Sequence, residues 1–433
     1  MKTEFEQRLS DYVDWNRDEL ITLISELVRC PSENSPPIGH EGACQQYISD
    51  ALTRAGYSPR LYSLNAVPGI TSHPLFEAGR DYTGRPNLVA HRPGSGGGRS
   101  LILSGHIDTV PSGTQNWTGN PFSGRVEGKR LYGRGSNDMK AGIAANLFVG
   151  MALSRLGIHL RGDFTFESVV DEEFGGVNGT LAARVAGIVA DAAVISEPSF
   201  LRVCAGQRGG RTVHITFRAP GGVLTDGAFP SGVIEQVTHF LLALRDFSAL
   251  RCNTTPVHPL FARCPDPVPV SVTKIITSPW GMTEPITIPD ECKLEMYWQL
   301  MPGEEQATVE RQFHTWFDSV VESGSGRFGQ RPEVVYPIRW LPGSAIDPAS
   351  PLVRELQCCA GAAMPAPPPI AGIEGPCDLF VFHEFGIPAV LWGPCGGNTH
   401  GPDEWVDLDS AVTATKALLF FVCQWCGVEG EGL

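Results

Sequence analysis

The sequence predicts an α/β catalytic domain, with a sheet flanked by helices, that is interrupted by an inserted α+β domain. The chain has 433 residues, which is too long for one ordinary hydrophobic core. Short apolar runs alternate with helical patterns at the start of the chain, and the same alternation returns near its end. Between them the order of elements changes. We therefore predict a catalytic domain formed by residues 1–204 and 343–433 and an inserted domain formed by residues 205–342.

The elements of the catalytic domain are predicted from the spacing of apolar residues. Apolar residues recur at helical spacing over 14–28 and 42–55, which predicts two opening amphipathic helices. Short apolar runs predict strands at 86–90, 100–104, 164–170, 192–196 and 389–391. Further helices are predicted at 141–156, 352–360 and 410–423. Because only a glycine-rich turn separates the first two strands, we expect them to be neighbours in the sheet.

The inserted segment has a different order of elements. Strand, helix, strand, strand, helix and strand follow one another, which is typical of a small α+β domain. These six elements are predicted at 212–217, 231–244, 268–276, 293–300, 308–321 and 333–339.

Composition limits the class of protein and its partners. The apolar fraction of 42% and charged fraction of 18% are typical of a globular protein. A net charge of -14 repels phosphate backbones, and no apolar run reaches the roughly 18 residues of a membrane span. The charged N-terminus lacks a secretory signal, and the cysteines follow no regular disulfide framework. We therefore expect a cytoplasmic protein that binds neither nucleic acid nor membrane.

Polar residues follow two of the predicted strands. His106 and Asp108 stand where a parallel strand would end, and their spacing puts both side chains on one face, where the carboxylate can orient the imidazole. Asp171, Glu172 and Glu173 place three carboxylates after another strand, which costs free energy unless a cation or solvent offsets the charge. Taken alone, each motif also fits ordinary structure: a histidine satisfied by a carboxylate, or a solvated turn. The remaining candidates are Asp138, Glu197 and His400.

Five motifs taken in order change this interpretation. They are SGHIDTVP at 104–111, YGRGSNDMKAG at 132–142, DEEFGG at 171–176, SEPS at 196–199 and GNTHGPDE at 397–404. On these motifs the chain resembles the metal-dependent hydrolases that include aminoacylase, acetylornithine deacetylase, succinyl-diaminopimelate desuccinylase and the carboxypeptidase G enzymes. The resemblance extends over nearly the whole length of the chain.

The resemblance implies a centre for two divalent metal ions. In it, Asp138 is the carboxylate that bridges both ions. His106 and Glu197 complete one site, and Glu173 and His400 complete the other. Oxygen ligands and two imidazoles fit zinc best, and cobalt or manganese would also be accepted.

The resemblance also assigns two catalytic roles. Glu172 is the general base and later the general acid, and Asp108 orients His106. In such a centre, two ions about 3.5 to 4 Å apart would lower the pKa of a bridging water toward neutrality. The resulting metal-bound hydroxide would then attack the amide carbonyl. Proton transfer by the glutamate typically contributes a factor of ~10² to 10⁴. In this family the peptide bond after the bridging aspartate is often cis, which makes the bond after Asp138 a feature to check.

The inserted domain is implied to be a lid that mediates homodimerisation, but it departs from the family in two places. The expected lid histidine is replaced by Thr225 or Asp226, and the expected arginine before Pro302 is replaced by Gln299. Loss of that arginine removes a bidentate clamp for a carboxylate. Asp226 and Gln299 are therefore candidate substrate contacts. Either the substrate has no free α-carboxylate, or an arginine at another position binds it: Arg208, Arg211 or Arg339.

The resulting hypothesis is a hydrolase that cleaves an amide C–N bond in a small N-acyl amino acid or dipeptide-like compound. A second hypothesis keeps the metals but deaminates an arylamine, as in the related nitroanthranilate aminohydrolase. A third is a non-catalytic metal-binding or ligand-binding protein, which the retained Glu172 disfavours. No Gly-x-Ser-x-Gly motif supports a serine nucleophile.

Overall fold

The computed structural model describes residues 3–223, 232–277, 287–324 and 326–430. The chain divides into two compact units. The first comprises Met1–Gly206, Ala345–Ile373 and Cys377–Leu433, and the second comprises Gln207–Ser344 and Glu374–Pro376. A central sheet flanked by helices confirms the predicted α/β class. Within the described residues, no helix has both the length and the apolar character that a membrane crossing requires.

The central sheet of the first unit has nine strands. The four strands at its centre are parallel to one another. In spatial order the main path is Ser344–Ala345, Val203–Gln207, Ala389–Leu391, Ala192–Ile195, Leu101–Ser104, Phe164–Ser168, Asn87–Arg92 and Arg60–Tyr62. The ninth strand, Ile370–Ile373, pairs with Val203–Gln207.

The expected pairing of the strands at 86–90 and 100–104 is wrong. Phe164–Ser168 lies between them, antiparallel to Asn87–Arg92 and parallel to Leu101–Ser104. The glycine-rich turn packs on the segment that leads into this middle strand: Ser95 N–H donates to the Leu160 carbonyl, and a Cβ on Gly94 would meet the Arg161 oxygen at 2.4 Å. The turn therefore spans a third strand rather than closing a hairpin.

Helices cover the central sheet. They are Glu4–Trp15, Arg17–Arg29, Gly42–Arg54, Ala141–Arg155, Asn178–Val185, Pro351–Ala363, Leu379–Glu384 and Leu408–Cys426. Ala141–Arg155 is buried over most of its length, in keeping with its lack of a polar face. The first helix was not predicted, although the capping box formed by Thr3 and Glu6 marks its start.

Short strands build the loops around the sheet. Asn34–Ser35 pairs with Ile38–Gly39 in a small hairpin. A second, four-stranded sheet contains Gly396–Gly397, Trp405–Asp407, Arg130–Tyr132 and Arg125–Glu127 in that order.

The described residues of the second unit form a four-stranded antiparallel sheet and two α-helices. In order, the strands are Val270–Ile276, Glu291–Leu300, Gly209–Arg218 and Glu333–Val335. Helices Val233–Thr254 and Gln306–Ser323 pack on it through an aromatic core that includes Phe240, Phe247, Trp298, Phe313 and Trp316. Gly222–Val223 pairs with Thr287–Ile288 apart from this sheet. The first helix continues ten residues beyond the prediction, because Phe247 and Arg251 are also buried.

Candidate metal centre

Three neighbouring parallel strands each end beside a predicted site residue. His106 follows Leu101–Ser104, Glu173 follows Phe164–Ser168, and Glu197 follows Ala192–Ile195. The carboxyl ends of parallel strands meet at one edge of a sheet, where α/β proteins commonly build their sites. The topology therefore brings these side chains together.

Two further candidates reach this edge from loops. Asp138 lies in the tight turn Ser136–Lys140 that leads into the buried helix, and its peptide bond to Met139 is cis. His400 lies between two short strands, with a left-handed φ of 62°. Few residues other than glycine adopt that conformation, and it is frequent at functional sites.

The two imidazoles contact opposite oxygens of the Asp138 carboxylate. His106 Nε2 lies 3.1 Å from Asp138 Oδ1, and His400 Nε2 lies 3.3 Å from Asp138 Oδ2. Glu197 Oε1 is 3.4 Å from His106 Nε2, and Glu173 Oε2 is 3.2 Å from His400 Nε2. All five predicted ligands thus converge, in two groups that share Asp138.

The donors and charges of this cluster fit divalent cations. Ligand atoms of His106, Asp138 and Glu173 lie within 4.8 Å of one another. Burial, together with the charge of Asp138, raises the pKa of Glu197 to about 7. Burial opposes protonation of His400, but its hydrogen bonds to Asp138 and Glu173 raise its pKa to about 11. Buried carboxylates that draw protons onto their neighbours are a suitable environment for a positive ion.

Glu172 lies beside the cluster without being bonded to it. Its Oε2 is 3.9 Å from His106 Nε2, which is beyond hydrogen-bonding distance. Burial raises the pKa of its carboxyl well above the ordinary value, although the charge of His106 opposes this. A carboxylate near the ligands, yet apart from them, is available for proton transfer.

Asp108 organises this edge differently from what the spacing suggested. His106 Nδ1 lies 2.9 Å from the backbone oxygen of Asp108 and 3.6 Å from its carboxylate. The carboxylate instead accepts the backbone N–H groups of Glu172 and Glu173, each at 3.1 Å. Asp108 therefore holds the imidazole through its main chain and the glutamate loop through its side chain.

Sequence patterns did not indicate which residues support Asp108. Asn34, in the small hairpin, donates to Asp108 Oδ2 at 2.8 Å. Asp171, with a left-handed φ of 64°, is fully buried and accepts from Tyr82 at 2.6 Å. The buried Arg85 lies 3.6 Å from Asp171 and is paired with Glu41. These contacts join segments that are far apart in the chain.

Glu404 ties the loop of Asp138 to that of His400. Its carboxylate accepts the N–H groups of Gly135, Asn137 and Asp138 at 2.9, 3.0 and 3.1 Å, and it pairs with Arg134 at 2.7 Å. Arg134 also donates to the His400 carbonyl at 3.2 Å. Glu404 belongs to the last of the five motifs, but its residue type alone did not distinguish it from a surface acid.

The candidate substrate contacts belong to the second unit. Thr225 and Asp226 lie outside the described residues. Gln299 is in strand Glu291–Leu300, and its amide nitrogen donates to the carbonyl of Glu374.

Two of the alternative arginines are also engaged within that unit. Arg208 donates to the carbonyls of Asp266 and Pro267 at 3.1 and 3.0 Å. Arg211 donates to the Ile338 carbonyl at 2.9 Å and pairs with Glu310.

Comparison with known proteins gives one family and several similar structures. Residues 102–424 match the model of peptidase family M20/M25/M40. N-formyl-4-amino-5-aminomethyl-2-methylpyrimidine deformylase of Halalkalibacterium halodurans is 28% identical over 97% of both chains. Succinyl-diaminopimelate desuccinylase of Methylobacterium radiotolerans is 36% identical over 42% of this chain and 43% of its own.

Two solved structures have the same fold. The dipeptidase Dug1p of Saccharomyces cerevisiae has a TM-score of 0.78 at 12% identity, covering 98% of this chain and 99% of its own. A dinuclear metal binding peptidase of the M20 family from Bacillus subtilis has a TM-score of 0.59 at 17% identity, covering 95% and 99%.

Proposed function

The chain belongs to peptidase family M20/M25/M40, and from this premise we propose that its five clustered ligands form a two-metal centre that hydrolyses a small N-acylated amine. The protein is a metal-dependent hydrolase of amide C–N bonds, as its relatives are. One observation carries the proposal: the two oxygens of Asp138 each contact a different imidazole, and each imidazole has its own glutamate.

The metal ligands divide into two sets. His106 and Glu197 would hold one ion, Glu173 and His400 the other, and Asp138 would bridge them. Divalent ions held by these residues would supply a water of lowered pKa and would polarise the scissile carbonyl. Nitrogen and carboxylate donors suit zinc best, and cobalt or manganese fit the same set.

Glu172 transfers the proton in this mechanism. Its carboxylate accepts a proton from the attacking water and delivers that proton to the nitrogen that leaves with the amine. Burial raises its pKa, which brings the carboxyl nearer to the proton affinity that such a shuttle needs at neutral pH. Asp108 keeps Glu172 in place through the backbone N–H of that residue.

The substrate we propose has no free α-carboxylate. A neutral amide stands at Gln299, where an arginine would form a bidentate pair with such a group. Arg208 donates to the carbonyls of Asp266 and Pro267, and Arg211 pairs with Glu310 and donates to the Ile338 carbonyl, so both already bind neighbours within the second unit. The deformylase relative is named for an N-formylated aminomethylpyrimidine, a compound without a carboxylate. This compound is therefore the first substrate to test.

A comparison of matched substrates tests the proposal. We expect kcat/KM for the N-formylated aminomethylpyrimidine to exceed that for N-formyl and N-acetyl amino acids. Gln299→Arg should shift this preference toward the amino acids. Gln306→Arg, at an exposed position at the start of helix Gln306–Ser323 in the same unit, is the control. A wild-type preference for the amino acids would contradict the proposed substrate and leave the amide hydrolase assignment intact.

The relatives do not favour the other two hypotheses of deamination and of a non-catalytic protein.

For the assembly, we propose a homodimer formed through the second unit. In its edge strand Val270–Ile276, the side chain of Ile276 is 63% exposed, and in its helix Val233–Thr254, that of Leu242 is 70% exposed. Edge strands with exposed apolar residues favour pairing with another chain. Light scattering should give a dimeric mass that Ile276→Lys lowers, and a monomeric wild type would contradict it.

A further inference from the structure

Two cysteines form a largely buried cluster with Lys140, which is two residues from Asp138 in the sequence. Cys30 caps the C-terminus of helix Arg17–Arg29, and Cys44 lies in the first turn of helix Gly42–Arg54. The two thiols are hydrogen-bonded to each other, and Cys44 Sγ lies 2.8 Å from the Cys30 carbonyl oxygen. The ammonium group of Lys140 is 3.9 Å from Cys44 Sγ. The proposed mechanism uses none of these groups.

Several features of the cluster favour a thiolate. A helix N-terminus and a nearby ammonium group both stabilise a negatively charged sulfur. Lys140 is fixed in place, since its Nζ also donates to the carbonyls of Leu27 and Cys30 at 2.9 and 2.7 Å. The hydrogen bond from Cys30, followed by the charge of Lys140, lowers the pKa of Cys44 to about 6. The same hydrogen bond, together with burial, raises the pKa of Cys30, so at neutral pH the proton is on Cys30 and the negative charge is on Cys44.

We propose that Cys30 and Cys44 are a peroxide-sensitive pair that forms a reversible disulfide and thereby changes the activity of the metal centre. Cys30 is half-buried and Cys44 is fully buried, so the oxidant reaches Cys30 first. A thiolate next to a second cysteine is the arrangement found in redox-sensing sites.

The oxidation balances with a hydroperoxide as oxidant. Cys30 passes its proton to Cys44, and the Cys30 thiolate attacks hydrogen peroxide, giving a sulfenic acid and hydroxide. The Cys44 thiol then attacks the Cys30 sulfur, and water leaves as the disulfide forms. The two sulfurs lose two electrons in total, which reduce the peroxide, and a dithiol reverses the reaction.

The disulfide would act on the site through both ends of the cluster. The loop that it closes contains Asn34, whose amide holds the carboxylate of Asp108 at 2.8 Å. Lys140, which would lose its neighbouring thiolate, is two residues from Asp138. This link to activity rests on the proposed function, whereas the disulfide itself is measured independently of turnover.

Mass spectrometry of the peroxide-treated protein tests the pair. We expect a cross-linked peptide containing Cys30 and Cys44, with the loss of two hydrogens, which dithiothreitol reverses. Cys30→Ser and Cys44→Ser should abolish the cross-link, and Cys358→Ser, which removes an exposed thiol, should leave it unchanged. Oxidation of other cysteines while these two stay reduced in the wild type would overturn the pair.

The effect on the site is tested with the same samples. Oxidised wild type should lose turnover and regain it with dithiothreitol, in parallel with the cross-link, whereas Cys30→Ser should keep its turnover during the same treatment. A cross-link that forms without change in turnover would overturn the link to the metal centre. If no amide substrate is turned over before oxidation, the proposed function fails while the disulfide result still stands.

Discussion

The two ends of the proposed metal centre have the same donor types but different burial. At one end, the side chains of His106 and Glu197 are only 2% and 9% exposed. At the other, Glu173 is 5% exposed, whereas His400 is 51% exposed. The first histidine follows a central strand, and the second lies in a surface loop. Ligand identity therefore does not make the sites equivalent, because the fold gives solvent access to only one of the two imidazoles.

Removing the Asp138 carboxylate, which the two proposed sites share, should abolish the binding of both metal ions. We expect Asp138→Ala to lose both ions and to lower kcat/KM by ~10⁴-fold or more, because each ion contributes several kcal/mol of transition-state stabilisation. Elemental analysis of the purified variant measures the loss. Full occupancy in this variant would contradict the bridging role.

Removing the carboxylate of Glu172, the proposed base, should leave the binding of both metal ions unchanged. We expect Glu172→Gln to lower kcat by ~10² to 10⁴-fold, since proton transfer typically contributes that factor. Its metal content should equal that of the wild type. Glu384→Gln, on an exposed residue at the end of helix Leu379–Glu384, is the control. Unchanged turnover in Glu172→Gln would exclude the base role.

Weakening the support of Asp138 should have an intermediate effect. Glu404→Gln removes the charge that pairs with Arg134, and it replaces by an amide donor one of the two oxygens that together accept three backbone N–H groups. We expect metal affinity to fall by about 10- to 100-fold, as for other groups that orient ligands. Titration of metal-free protein measures the change, with the exposed Glu429→Gln as control. Equal affinities would indicate that the Asp138 loop holds its shape unaided.

The difference between the two histidines should also appear in stability. His106→Ala empties a buried position and should lower the free energy of unfolding by about 1 to 3 kcal/mol, which is more than the loss expected for His400→Ala, because the half-exposed side chain of His400 leaves no buried cavity. Denaturant unfolding of the metal-free proteins measures both values. Equal losses would show that burial does not distinguish the two ends.

The convergence of the five proposed ligands could be expected because they stand in short motifs of distinctive residue types. His106, Glu173 and Glu197 each follow an apolar strand, so parallel topology alone brings them to one edge. The groups that hold the ligands were not predictable in this way. Asn34 reaches Asp108 across 74 residues, and Glu404 reaches Asp138 across 266, with no periodicity to indicate either contact.

Strand neighbours were also beyond the reach of local patterns. The glycine-rich turn after Asn87–Arg92 has the composition of a hairpin, yet its hydrogen bonds run to the segment before Phe164–Ser168. The glycine-rich composition indicates a turn between the two strands. Long-range packing determines that a third strand, Phe164–Ser168, lies between them. The candidate substrate contacts were identified in another way. Gln299 was selected because the family resemblance would place an arginine at that position.

The Glu404 carboxylate has a consequence for biosynthesis. The ribosome synthesises the Asp138 turn 266 residues before Glu404, whose carboxylate accepts the backbone N–H groups of that turn. During this part of translation the turn lacks those hydrogen bonds. We therefore expect the Asp138 turn to reach its final shape only after Glu404 has been synthesised. Premature termination between residues 198 and 403 would yield a product that carries at least four of the five proposed ligands but lacks Glu404.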